Sequence, residues 1–325
     1  MDEPVQPGSM PRHRQLRQNY ENQRYLRTAP WGLVEERMRD ILVNLVVITE
    51  NKRTGLPTVN SEAEDWMLRF TQADAERALR FGPYPAGLRD GFLRGTPIPR
   101  STHALAQKAV EALRNFGLPT APYLAKFGRR EYMQEALAEG SVLVSPATRY
   151  NDSSLNPAIR DDELAVTIHA VPEVPALPSL PANVATAARA TTQFVKGVRA
   201  QAMTNYYVYC MCTILAPRLF VDFNYDACLV INDPTKFEAR LLSAMLAKAP
   251  KWTVLRGSVI YVDPFLGPLT SPSTPIGPHL HKHFRYAYQK EYRLTWIPPV
   301  PTWELEPIKV ELGSLNDCCQ LIELT

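Results

Sequence analysis

No segment of this 325-residue chain is apolar for long enough to cross a bilayer as a helix. The most apolar stretches, Ile41 to Ile48 and Tyr206 to Leu215, fall well short of the roughly 20 residues a span needs. The opening residues, MDEPVQPGSMPRHRQLRQ, hold no apolar run of the kind a secretory signal carries. Together these absences predict a cytoplasmic protein with no membrane partner. An excess of charge of one sign is also missing. The 36 Lys and Arg nearly balance 33 Asp and Glu, which argues against wholesale nucleic-acid binding. Cysteine is scarce and odd in number: Cys210, Cys212, Cys228, Cys318 and Cys319. Their mostly apolar settings read as reduced thiols, not as a disulfide framework. Cys210 and Cys212 lack the two-residue gap of zinc knuckles and redox pairs, so core packing is the reading for them. Gly-rich phosphate loops, HExxH helices and nucleophile elbows do not occur.

Proline, by contrast, is abundant and clustered. Pro172, Pro175, Pro178 and Pro181 stand three apart, the repeat of a polyproline II strut. A stiff surface connection is the plain reading, and an aromatic-grooved partner is the functional one. PFLGPLTSPSTPIGP (264–278) has the spacing of a long surface loop, and PPVPTWELEP (298–307) closes a strand.

The hydrophobic pattern divides the chain into three parts. Residues 1–28 are polar and arginine-rich, the composition of a flexible arm. Residues 29–121 read as a helical region, a second place for a partner to dock. Helical spacing runs from Trp31 to about Asn51, and Ser61 with Glu64 forms a capping-box signature before a second helix. Ser101 or Thr102 caps a third that stops at Gly117. Residues 122–325 form an α+β body with a mixed sheet and short helices. Strands are expected over 123–127, 141–147, 163–171, 205–215 and 227–233, and residues 184–201 read as helical or irregular. The 205–215 strand is apolar on both faces, as in the centre of a sheet. A helix follows Pro234, and one or two strands span 252–263.

Two stretches carry chemistry. HLHKH sets His279, His281 and His283 at alternate positions, one side of an extended segment and a geometry zinc accepts. The plain reading is a basic loop end with no metal. YAYQKEYRLTW (286–296) alternates aromatic and polar side chains with a period of two. Its polar row of Gln289, Glu291, Arg293 and Thr295 is either a solvated outer face or the floor of a site.

A glutamine two residues before a glutamate at the start of a strand resembles the Gln-x-Glu signature of ADP-ribosyltransferases. The resemblance implies that Glu291, with Gln289, faces the nicotinamide ribose of NAD and stabilises the oxocarbenium-like charge formed as nicotinamide leaves. It implies Lys126 in YLAKFG and Thr213 in YYVYCMCT as the basic and hydroxyl elements of the substrate site. A second resemblance spans about 123–297. YLAKFG, ALAEGSVLVSPATRYND, YVYCMCT and YQKEYRLTW are similar to a bacterial family of unknown function related to abortive-infection phage-resistance proteins. This adds Tyr150, Asn151 and Arg293 to the substrate-binding set. The chain departs from these patterns at Ser153, where the family has proline, and at Cys212 or Thr213, where it has serine. Lys126 replaces the usual arginine or histidine and supplies a point charge without a planar fork. The expected function is therefore an NAD-using ADP-ribosyltransferase or NAD glycohydrolase. It would be a bacterial toxin or phage-defence effector with an unidentified macromolecular acceptor, protein or nucleic acid, and no metal.

Two other classes stay open: a non-catalytic interaction protein, and a metal-dependent nuclease-like toxin using Asp152, Asp161, Asp162 and Glu163. The site residues Lys126, Tyr150, Asn151, Thr213, Gln289 and Glu291 are expected to converge on one cleft. Replacement of Glu291 by glutamine should leave stability nearly unchanged, as for an exposed or cleft-lining carboxylate on a strand face.

Overall fold

The computed structural model describes residues 12–22, 24–56, 61–93, 98–170, 195–268 and 276–325. The Pro172–Pro181 strut and part of the 264–278 loop lie outside these residues. The first third comprises helices α1 (Arg12–Glu21), α2 (Trp31–Leu45), α3 (Ser61–Phe81), α4 (Gly87–Gly91) and α5 (Ala104–Phe116). A ribbon of β1 (Val47–Ile48) and β2 (Thr54–Gly55) interrupts them.

Two details differ from the sequence reading. Part of the polar arm is the helix α1, docked on α3: the Tyr20 hydroxyl donates to Glu76 at 2.7 Å, and Arg24 pairs with the same carboxylate at 3.0 Å. Helix α5 begins later than expected. His103, whose Nδ1 accepts from the Leu105 N–H, caps it in place of Ser101 or Thr102. Gly117 ends it at φ 74°, the conformation glycine adopts without strain.

The remainder alternates strands with short helices: β3 (Leu124–Gly128), α6 (Arg130–Glu139), β4 (Ser141–Pro146), a 3-10 turn (Ala147–Asn151), β5 (Ala165–Ala170) and β6 (Val195–Gln201). Then come β7 (Tyr207–Cys212), α7 (Pro217–Phe223), β8 (Ala227–Ile231), α8 (Pro234–Lys248), β9 (Thr253–Ser258), β10 (Ile260–Asp263) and β11 (Gly267–Pro268). The chain closes with β12 (His281–His283), a second 3-10 turn (Phe284–Gln289), β13 (Glu291–Ile297), β14 (Ile308–Glu311) and β15 (Cys319–Glu323). The α+β class is as expected. Residues 195–201, read as helical or irregular, are instead a strand, because pairing with β5 sets their conformation more strongly than local propensity does.

The main sheet forks. Strand β7 pairs along its whole length with β13, which in turn pairs with β9. The other edge of β7 is shared. β4 pairs with its first residues, Tyr207 and Val208, and β3 with its last, Cys212. Among the described residues, Tyr209 to Met211 have no strand partner on that edge. One branch continues from β4 to β14, the other from β3 through β8 to β15. All these pairings are antiparallel, so the main sheet is not the mixed one expected; parallel pairing occurs between β10 and β12 in a smaller sheet. Helix α6 connects β3 to β4 across the fork and ends on Gly140 at φ 76°. A methyl group at Gly140 would run into the Gly313 carbonyl.

The first-third helices share cores with the body. Met38, Ile41, Trp66 and Phe70 pack with Tyr261, Phe265, Phe284 and Tyr286. Ala109 and Leu113 of α5 pack on β3, β7 and β8. A buried ion pair ties α2 to β10: Arg37 donates to Asp263 at 2.7 Å, and Arg69 reaches the same carboxylate at 2.9 Å. Burial alone would raise the Asp263 carboxyl, but Arg37 and Arg69 outweigh it and hold the group at about 2.

Asp40 has the opposite balance. It is buried, its Oδ2 accepts no hydrogen bond among the described residues, and the nearest cation, Arg285, stands 3.9 Å away. Burial raises its carboxyl to about 7. The native state thus holds a proton there that the unfolded chain has already released above its ordinary value of 3.8. Stability from this group is full below about pH 4 and is lost as pH rises through about 7. Asp40→Asn should match the parent in chemical denaturation at pH 4 and exceed it at pH 8. Equal stability at both values would refute this account.

Candidate functional site

The fork encloses a cavity of about 620 Å³. Its floor is β7 from Tyr209 to Cys212, of which Tyr209 to Met211 have no strand partner on that edge among the described residues. Its walls are β3 and β4, and α6 covers one side. At the far end stand Gln289, Glu291 and Lys282. The fork therefore creates both the space and its polar lining. A Lys126 side chain fills part of the gap between the branches. Its Nζ donates to the Cys210 carbonyl at 2.8 Å and lies 4.5 Å from the Tyr209 ring centroid. Burial lowers its pKa, and among the described residues it has no carboxylate partner.

The polar row of the alternating stretch faces inward. Its register differs from the sequence reading, because Tyr286 to Gln289 wind a 3-10 turn and Lys290 adopts a left-handed conformation at φ 48°. The strand starts at Glu291. From there the alternation holds, with Glu291 opposite Cys212 and Arg293 opposite Cys210. Glu291, Arg293 and Thr295 are all buried. The solvated outer face is excluded.

Glu291 is held by two cations. Lys282 donates to Oε1 at 2.6 Å, and Arg293 Nε donates to Oε2 at 2.9 Å. Arg293 also pairs with Glu163 at 2.7 Å, and Lys282 lies 3.5 Å from Glu163. Burial acts to raise the Glu291 carboxyl, but Lys282 and Arg293 outweigh it and keep it well below the ordinary range. The carboxylate is anionic and oriented. Two further lone-pair sites on its oxygens remain open to a ligand hydroxyl. Gln289 is buried beside it, donating to the Ala158 carbonyl at 2.6 Å with its Oε1 3.5 Å from Lys282.

Of the residues expected to converge, Lys126, Tyr150, Gln289 and Glu291 line the cavity. Arg293 is not part of the lining but pairs with two carboxylates that are, Glu163 and Glu291. Asn151 and Thr213 do not belong. Asn151 is exposed at the end of the first 3-10 turn and borders a separate outer groove with Thr148 and Glu306. Thr213 is exposed, and its hydroxyl donates to the Lys290 carbonyl at 3.1 Å, closing the end of β7 on the turn before β13. Its role is local and structural.

Sequence reasoning missed Lys282 entirely. It was hidden in HLHKH, where the imidazoles drew attention, yet the period of a strand turns Lys282 away from His281 and His283 and toward the carboxylates. The imidazoles are separately engaged. His279 packs on the Tyr206 ring, His281 Nδ1 lies 2.8 Å from the Gly277 carbonyl oxygen, and His283 Nδ1 accepts from the Arg285 N–H. Among the described residues no group of three or more His, Cys, Asp or Glu side chains is placed to hold a metal ion. The acidic run divides: Asp161, at 3.9 Å, and Glu163, at 3.5 Å, both face Lys282, and the other two lie elsewhere. Asp152 caps the Ser154 N–H, Asp162 pairs with Arg199, and Glu163 pairs with Arg293. The five thiols are free; Cys210 and Cys212 line the cavity, where small side chains fit opposite Arg293 and Glu291.

Comparison with family models, with curated proteins and with solved structures finds no match to this chain.

Proposed function

We propose that the forked-sheet cavity binds a nicotinamide dinucleotide and that the chain cleaves its glycosidic bond, as an ADP-ribosyltransferase or an NAD glycohydrolase. The observation that carries this reading is the placement of Gln289 and Glu291, side by side and buried, at the end of a cavity large enough for part of a dinucleotide. In the reaction the C–N bond to nicotinamide breaks with its electron pair leaving on the ring. The anomeric carbon acquires positive charge, and water or an acceptor nucleophile then bonds to it and releases a proton. A fixed anion beside that carbon stabilises the transition state more than the ground state.

Glu291 suits this task through its charge. A carboxyl held so far below the ordinary range is a poor proton acceptor near neutral pH, so its contribution is electrostatic and through a hydrogen bond from a ribose hydroxyl. Lys282 and Arg293 reduce its net field, but they also fix it in place, so no reorganisation is needed as charge develops. Gln289, its amide nitrogen held by the Ala158 carbonyl and the Tyr288 hydroxyl, offers its Oε1 as an acceptor to orient the nicotinamide or its ribose. The test is nicotinamide release from NAD by the purified protein, with and without a protein acceptor. Absence of both binding and release would end this reading.

A further inference from the structure

The cavity's charges do not cancel, and the imbalance lies at its mouth. Three carboxylates line it, and each has a cation: Glu135 pairs with Lys309 at 2.7 Å, Glu163 with Arg293, and Glu291 with Lys282 and Arg293. Of the lining cations, Lys126, Arg129 and Arg149 have no carboxylate partner among the described residues. Arg129 and Arg149 come from different elements. Arg129 is the residue before α6, and Arg149 lies in the 3-10 turn after β4. The fold nevertheless brings both, with Tyr225, to the lining of one cavity. Tyr225, whose acidity burial reduces, feels both guanidinium charges, which act in the opposite sense. Tyr132 and Phe223, two further aromatic rings, line the same cavity.

Two guanidinium groups on the lining of one cavity, neither in an ion pair among the described residues, leave positive charge there uncompensated. The exposed Asp152 carboxylate feels Arg149 from the outer groove but forms no ion pair with it. An oxyanion with several acceptor atoms relieves this and takes up their forked donors. A phosphomonoester fits best, since it carries close to two charges at neutral pH and three acceptor oxygens. The nearby aromatic rings offer a stacking surface for the base to which such a group would be attached.

We propose that Arg129, Arg149 and Tyr225 form a phosphomonoester site at the cavity mouth. Resting on the dinucleotide reading above, this makes the preferred ligand the 2′-phosphorylated dinucleotide, NADP, over NAD. The diphosphate common to both would lie nearer Lys126.

Calorimetric titration with four probes tests this: NAD, NADP, adenosine 2′,5′-bisphosphate and inorganic phosphate. NADP should bind roughly tenfold or more tightly than NAD at moderate salt, the effect of one well-placed doubly charged contact. In the Arg129→Gln, Arg149→Gln double variant that ratio should fall to about one. Both arginines are exposed, so unfolding of the variant should follow the parent. Equal affinity for the two dinucleotides overturns the site, and so does a ratio that survives the double substitution. If neither dinucleotide binds, the dinucleotide reading fails by itself, and the bisphosphate decides the mouth site separately. Binding weakened by the double substitution sustains it; no binding, or binding no better than inorganic phosphate, overturns it.

Discussion

Asp263→Asn should destabilise the protein by about 3–5 kcal/mol, the usual cost of removing one member of a buried ion pair. The substitution leaves Arg37, essentially inaccessible, facing a neutral amide, and weakens the grip of Arg69 as well. The penalty comes from the stranded charges more than from a lost hydrogen bond. Replacing both members with apolar residues, Arg37→Met with Asp263→Leu, should therefore recover much of the loss. The pH dependence has a definite sign. The Asp263 carboxyl sits at about 2 in the fold against an ordinary 3.8, so its contribution is present above about pH 4 and fades as pH falls toward 2. Parent and variant should converge over that range. Urea denaturation measures this directly, and a loss below about 1 kcal/mol at pH 7 would place the pair among ordinary surface contacts.

That pair also shows where the sequence was legible and where it was not. Elements with a strong local pattern were readable. YLAKF, SVLVSP and ACLVI carry enough apolar weight to be strands in any sheet, and Pro234 near the first turn announces α8. The 205–215 strand was correctly read as central, because a strand apolar on both faces must be covered on both. Nothing local reveals the fork. It depends on which residues of β7 are taken by β4 and which by β3, a matter of register between segments some 60 to 90 residues apart. The site follows the same division. Gln289 and Glu291 stand out because the alternating sequence puts polar residues in a row, although Gln289 lies in the turn before β13. Lys282 and Glu163 do not, since each acquires its role only by meeting Glu291 or Arg293 in three dimensions. Thr213 failed for a related reason. It lies one residue beyond the last paired position of β7, where the chain has already turned toward solvent.

Glu291→Gln is expected to lower turnover of a nicotinamide dinucleotide by about 100-fold or more, corresponding to about 3 kcal/mol of lost transition-state stabilisation. Glutamine keeps the shape and one acceptor oxygen but removes the charge. The sequence reading expected folding barely to change, on the premise of an exposed or cleft-lining carboxylate on a strand face. The structure reverses that expectation. Glu291 is buried between Lys282 and Arg293, so its neutralisation strands charge in the interior and should also cost about 3–5 kcal/mol of stability. Activity and stability must therefore be separated, and Asp263→Asn provides the comparison. It is destabilised on the same scale, yet Asp263 lies outside the cavity lining. Both variants should be assayed at a temperature where unfolding curves show each to be folded. Asp263→Asn should then turn over within about threefold of the parent, while Glu291→Gln should not. The ligand's dissociation constant should change less than turnover, because the charge matters most at the transition state. Equal losses in the two variants would assign Glu291 to the internal ion network alone, and near-parental turnover in Glu291→Gln would remove it from the chemistry.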